Sequence, residues 1–403
     1  MLKVEDAQKQ ILSGITPLPK ETVPLREALG RILAAPVFSP IDLPLFDNSA
    51  MDGYAVVAQD LRNACGSGPV GLRLIGRIAA GEVFRERVLP GTCVRLFTGS
   101  PLSEGADAVI MQEDTRPDPA DPGRILCLDA VKPWENVRLK GEDVKCGTAL
   151  IAGGERLTTS RVSLLAAAGV TEVSVGRQPV VGLMATGSEL VEPGQKLGPG
   201  QIYESNRIGL AALVSQAGGR ARILPLVKDT LEATQAMLEQ AFNECDVVVS
   251  TGGVSVGEFD FVKAACEKLG GELAFWKVAM KPGKPFAFGC WRGKFLLGLP
   301  GNPVSSFVTF LILARPALLR FQGASSVHLP SHPGVLADKL VNRGDRRHFV
   351  RVKVESDGTV RLAGIQASHV LSSLACANGL VDIPPDAKWE AGQSVSVLRW
   401  EQD

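Results

Sequence analysis

Histidine is scarce in this chain. Its four residues all fall after position 327, which argues against a histidine-rich metal centre. The eight cysteines, at positions 65, 93, 127, 146, 245, 266, 290 and 376, form no Cys-x-x-Cys pair. Zinc-ribbon and thioredoxin-type readings therefore fail, and Cys245, Cys266 and Cys290 fall in apolar contexts that suit inert packing. Neither sign of charge is in excess: 43 basic residues oppose 43 acidic ones, so no global basic field exists to hold nucleic acid. No apolar run reaches the roughly 18–20 residues of a membrane helix. The longest, Phe307 to Ala314, stops at Arg315 and Pro316. The opening MLKVEDAQKQ carries acids where a signal peptide has its apolar stretch. The expectation is a cytoplasmic protein with neither a nucleic-acid nor a membrane partner. Aromatics are only 5%, against 43 Gly and 26 Pro, so tight turns and aliphatic cores should dominate.

At about 100–200 residues per domain, 403 residues make two to four domains. The first 45 residues read as helix, turn, helix. Val4, Ala7 and Ile11 share one face of the first, and Leu25, Leu29 and Leu33 mark the second, ended by Pro36. Residues 51–143 are a series of short β-prone runs split by Gly and Pro, as in a small barrel or sandwich. From Pro179 strands alternate with helices, which predicts a three-layer α/β/α domain with a mostly parallel sheet over 178–323. In its first helix Ile208, Ala212 and Leu213 should face the core. Residues 324–403 return to β character, with a hairpin around the SDG turn at 356–358. The fold class is thus multidomain α/β. An elongated linking domain (1–50 with 144–177) and a β-rich domain (51–143) precede the central domain, and a small β domain follows it.

Ligands of open α/β sheets bind beyond the carboxyl ends of the strands. Three strand ends here carry unusual loops: Ala185-Thr186-Gly187-Ser188-Glu189, Ser250-Thr251-Gly252-Gly253-Val254-Ser255-Val256-Gly257, and Leu299-Pro300-Gly301-Asn302-Pro303. Glycine lets backbone N–H groups approach an anion, and Asn302 with Pro303 suits a helix start. None of these loops is a Walker or dinucleotide-binding motif. Acids stand at the same strand ends. Glu189, Asp229 and Asp260 could hold a hydrated Mg²⁺, although Asp229 and Asp260 equally suit plain helix capping. Lys277, Lys281 and Lys284 form a basic trio at another strand end, and alternation would put Lys277 and Lys281 on one face of a continuing strand. His369 is expected to be a satisfied structural histidine. The residues themselves lead to a phosphate-and-metal site and do not name its substrate.

Seven motifs in order, DNSAMDGYA, FTGSP, RLKGED, ATGSEL, STGGVSVGEFDFVK, VAMKPGKP and LPGNPVS, resemble the MoeA family of molybdopterin molybdenumtransferases, related to the C-terminal domain of gephyrin. The resemblance covers essentially the whole chain. It implies insertion of molybdenum from molybdate into adenylylated molybdopterin with release of AMP, dependent on Mg²⁺. It implies roles for Asp52, Thr98 and Asp143 in the outer domains. It implies Mg²⁺ or water binding by Glu189, Asp229 and Asp260, and phosphate or molybdate contacts by Lys277 and Lys281. Gly252, Gly253, Ser255, Gly257 and Lys284 would line the nucleotide, with Pro300, Gly301, Asn302 and Pro303 shaping the last turn and Ser368 near the oxyanion. It implies a homodimer whose site combines the central domain of one subunit with the SAMDGYA and FTGS segments of the other. A molybdopterin adenylyltransferase and molybdoenzyme-maturation proteins are the partners it suggests. Two rivals use the same features: an adenylyltransferase-like enzyme consuming ATP, and a gephyrin-like scaffold without turnover.

Overall fold

The computed structural model describes residues 1–79, 81–253 and 261–400. The first helix, α1 (Val4–Ser13), buries Val4, Ala7 and Ile11. They pack into the same apolar cluster as Val181, Val249 and Phe310 of the central domain. This helix therefore belongs with the central core rather than with the linking segment to which the sequence analysis assigned it.

The second helix expected from Leu25, Leu29 and Leu33 does not form. A three-residue 3₁₀ turn, Leu25–Glu27, stands in its place. Leu29 is exposed, Gly30 takes a φ of +76°, and Leu33 bridges Val175. Arg31 donates to the carbonyl of Gly176, which holds this stretch extended against the returning chain. The strand Lys20–Pro24 pairs antiparallel with Glu172–Gly176, so the two halves of the linking segment meet. The helix α2 (Thr159–Ala167) caps that pair, and the Thr158 hydroxyl accepts the N–H of Arg161 at its start.

The β-rich segment is one six-stranded mixed sheet. Its central strands are Gly53–Val56, Thr92–Leu96 and Val70–Arg77. Apolar clusters cover both its faces.

The central sheet is built from β1 (Val180–Ala185), β2 (Arg220–Ile223), β3 (Val247–Thr251), β4 (Glu272–Lys277), β5 (Pro285–Trp291) and β6 (Lys294–Leu299), in spatial order β2-β1-β3-β6-β5-β4. Four strands are parallel, and β5 and β4 add an antiparallel edge. The β-branched run of β3 is buried on both faces. Val247 and Val249 join the cluster with α1, α3 (Asn206–Gln216) and the helix after β6. Val248 joins the opposite cluster with α4 (Leu231–Glu244) and α5 (Phe261–Lys268). Period-two alternation within one strand thus produces three layers.

In α3 the buried set is Arg207, Leu210, Leu213 and Val214; Ile208 and Ala212 are exposed. The face is turned because Arg207 is anchored inward, donating from Nε to Glu204 at 2.9 Å and from Nη2 to Glu192 at 2.7 Å. The long helix after β6 runs as α6 (Pro303–Thr309), a π turn (Phe310–Ala314) and α7 (Arg315–Phe321). The π turn absorbs Pro316, which has no N–H for the regular ladder. This helix is long and apolar enough to cross a membrane, yet 83% of its most apolar window is buried in the protein core.

The last domain closes into a small barrel. Arg347–Val354 pairs with Thr359–Leu362 on one side and with Gly379–Ile383 on the other. The short strand Met280–Lys281 joins this barrel, not the central sheet. Lys281 is therefore not on a continuation of the Lys277 strand: the chain leaves one sheet and enters another between them.

Candidate functional site

A cleft of about 680 Å³ lies at the carboxyl ends of the parallel strands. All three glycine-bearing loops reach it, contributing Thr186 and Glu189, Thr251 to Gly253, and Pro300 to Pro303. Gly252 and Gly253 take φ of +80° and +66°. A Cβ at Gly252 would lie 2.7 Å from the Thr186 carbonyl oxygen, so both the turn and the close approach require glycine.

One side chain ties the loops together. Asn206 Nδ2 donates to Thr251 Oγ1 at 2.8 Å and to the Gly301 carbonyl at 2.7 Å. Thr251 Oγ1 donates in turn to the Pro300 carbonyl. Asn206 opens α3 two residues after Glu204, whose carboxylate is buried against Arg207. The sequence analysis missed this Glu204–Arg207 pair. Its signal is a Glu and an Arg three apart at a helix start that follows a strand end.

Among the described residues three acids line the cleft, Glu189, Glu204 and Asp229; Glu204 is taken up by Arg207, which leaves Glu189 and Asp229. Asp229 is not a helix cap: Thr230 caps α4, accepting the N–H of Ala233 at 3.2 Å. The Asp229 carboxylate instead accepts the N–H of Ser188 at 2.8 Å, linking two strand ends. Asp260, Ser255 and Gly257 lie outside the described residues. No group of three or more His, Cys, Asp or Glu is placed to hold a metal ion among the described residues. Buried Thr186 has a hydroxyl with no partner among the described residues. The donor set in the cleft is thus hard oxygen, the kind that Mg²⁺ accepts together with water and phosphate.

Asn302 precedes α6, with Pro303 as its first residue, but its side chain makes no cap. Its Nδ2 donates to Ser368 Oγ at 3.3 Å, and the Val304 N–H donates to the Ser368 carbonyl. The C-terminal domain thereby touches the cleft, and His369, expected to be structural, lines it. Buried Arg351 holds this loop from behind through Ile365, Ala367 and Ser373.

The lysines sit apart from the cleft's lining. Lys277, Lys281 and Lys284 are all exposed, and Lys281 lines a different cavity of about 440 Å³ with Arg343, Arg346 and His348. Burial, then the charges of Lys281, Arg351 and Arg346, push His348 down to about 4, so its imidazole is neutral at ordinary pH.

Asp52 and Thr98 form a separate pair on the β-rich domain. Both the N–H and the hydroxyl of Thr98 donate to one Asp52 oxygen, at 2.8 and 2.9 Å. These bonds, with the nearby Arg95 charge, hold the Asp52 carboxyl below the usual carboxylate range. Arg95 is itself stacked between Tyr54 and Phe97. Asp143 is exposed, its N–H donating to the Leu43 carbonyl. None of these residues lines the cleft of their own chain.

Three family models cover this chain in order: the MoeA N-terminal region (domain I and II) over residues 2–169, a probable molybdopterin binding domain over 182–320, and the MoeA C-terminal region (domain IV) over 333–400. The chain belongs to the MoeA family. Within it, a protein of Haemophilus influenzae named molybdopterin molybdenumtransferase is 39% identical, with 98% of each chain covered. A Mycobacterium tuberculosis protein named molybdopterin molybdenumtransferase 2 is 38% identical over 96% of each. The crystal structure of a MoeA protein from Pyrococcus horikoshii OT3 superimposes with a TM-score of 0.85 at 32% identity, covering 99% of this chain and all of that one. The MoeA architecture thus accounts for the chain from α1 to the terminal barrel.

Proposed function

We propose that this MoeA-family chain is a molybdopterin molybdenumtransferase, inserting molybdenum from molybdate into adenylylated molybdopterin with release of AMP. The observation that carries the reading is the convergence on one cleft of three strand-end loops and the acids Glu189 and Asp229. Backbone N–H groups at Gly252 and Gly253 suit a pyrophosphate, and charge developing there as the anhydride breaks meets donors already in place. Glu189 and Asp229 would hold Mg²⁺, with water and substrate phosphate completing its shell; the ion would neutralise phosphate charge. Lys277 and Lys281 would attract the oxyanion, and the Lys281 cavity adds two arginines to that task. Asn302 and Ser368 would border the same ligand from two domains.

The site is completed, in this reading, by the Asp52–Thr98 pair and Asp143 of a second subunit. The support is that a depressed, partly exposed carboxylate stands outside its own cleft, next in sequence to exposed Met51. The protein would act in the cytoplasm and receive its substrate from a molybdopterin adenylyltransferase. The test is incubation with adenylylated molybdopterin, Mg²⁺ and molybdate. AMP release that depends on molybdate, with reconstitution of an apo-molybdoenzyme, is expected. ATP consumption instead would favour the adenylyltransferase reading, and absence of any turnover the scaffold.

A further inference from the structure

A second, larger cavity of about 730 Å³ lies where the linking segment, the central domain and the C-terminal domain meet. It shares no lining residue with the cleft of the strand ends. Its walls carry Glu155, Arg156 and Arg161 from the linking segment, Arg315 from α7, Arg399 from the C-terminal domain, and apolar side chains that include Leu213, Leu311 and Trp400. Arg161 is neutralised by Glu155 at 2.6 Å. Arg156 and Arg315 are not: among the described residues neither has a carboxylate within ion-pair distance. Arg156 Nη2 donates to the Gln216 carbonyl at 3.2 Å, and Arg315 Nη1 donates to the Val327 carbonyl at 2.9 Å. Each guanidinium has five N–H donors, so most are left for a ligand. Burial lowers the Arg156 pKa, and burial with the Arg156 charge pushes Arg315 down to about 10. Two half-buried cations therefore repel one another at one cavity, neither with a carboxylate in ion-pair contact among the described residues.

We propose that this junction cavity binds a small phosphomonoester, its dianionic phosphate between Arg156 and Arg315 and its organic part against Leu213, Leu311 and Trp400. Arg156 and Arg315 together match a charge of minus two, and their planar forks match phosphate oxygens in pairs. A monocarboxylate would leave one cation uncompensated. The volume falls within the roughly 300–1,000 Å³ of small-molecule sites, and the mixed lining suits an anion with an apolar body. Because the walls come from three domains, an occupant would brace the linking segment against the catalytic domain.

The full-length protein is titrated calorimetrically with phenyl phosphate and, in parallel, with benzoate. Neither substituted arginine lines the central cleft, so the comparison isolates the junction. Wild type should bind phenyl phosphate at a site that the Arg156→Gln/Arg315→Gln double variant weakens at least tenfold. Benzoate should bind that site at least tenfold more weakly than phenyl phosphate. Superimposable isotherms of wild type and double variant overturn the proposal, and equal affinity for benzoate overturns the phosphate assignment. Should the Gln variant not fold, wild-type crystals soaked in phenyl phosphate decide. Density between the two arginines supports the site, and none there rejects it.

Discussion

Two hydrogen bonds from a single neighbour are the chief cause that holds the Asp52 carboxyl below its ordinary range. Thr98 supplies both from its backbone and its hydroxyl, and only the hydroxyl can be removed without disturbing the chain. Thr98→Val should let the Asp52 pKa rise toward the ordinary carboxylate value. If the ionised form is required, activity falls as pH drops through the folded pKa. The acid limb of kcat/KM in the variant should then lie at higher pH than in wild type, with the alkaline limb unmoved. An unchanged acid limb would remove Asp52 ionisation from the rate. The motif FTGS places this threonine in the sequence, but not its double bond to a residue 46 positions away. At the same scale, Asp229 was legible as an acid after a strand and not as a partner of Ser188. Its neighbour Thr230 took the cap, and one hydroxyl in the right place releases a carboxylate for other work.

Between elements, Asp246 joins the linking segment to the central sheet. Its two oxygens receive Arg177, and one of them also accepts the Val180 N–H at 2.8 Å. Burial raises its pKa, but the Arg177 bonds, the Val180 bond and the charges of Arg177 and Lys294 outweigh it, and the net shift is downward. A depressed carboxylate stabilises the fold above its unfolded pKa and loses that contribution as pH falls through the folded one. Asp246→Asn should cost about 1–3 kcal/mol at neutral pH. Its penalty should shrink on acidification toward pH 3, read from urea midpoints across pH. A penalty independent of pH would mean that the charge is not what holds the junction. The helix Asn206–Gln216 teaches a related lesson. Apolar periodicity assigns its inner face to Ile208, Ala212 and Leu213; Leu213 is buried, but a buried guanidinium satisfied by two carboxylates puts Arg207 inside and leaves Ile208 and Ala212 out.

For the whole molecule, the separation of Asp52 from the cleft of its own chain makes a sharp prediction. A mixture of Asp52→Asn and Glu189→Gln chains, each inactive in isolation, should regain up to half of wild-type activity. A mixed dimer would contain one intact composite site and one doubly damaged one. The measurement is AMP release by purified mixed dimers carrying two different tags. No recovery in verified mixed dimers would place the whole reaction within one chain and leave Asp52 with a structural role.

The sequence by itself determined the domain types, the strand-end location of the loops and the family. Each rests on local patterning: period-two and helical spacing, glycines that must turn, and motifs in a fixed order. It did not determine that the first helix packs on the central sheet, or that Lys277 and Lys281 fall in different sheets. Nor did it show that Asn206 and Ser368 tie separate loops to the cleft. Those facts depend on side chains meeting across tens to hundreds of residues, where burial and hydrogen-bond satisfaction of the whole chain decide, and no local window contains both partners.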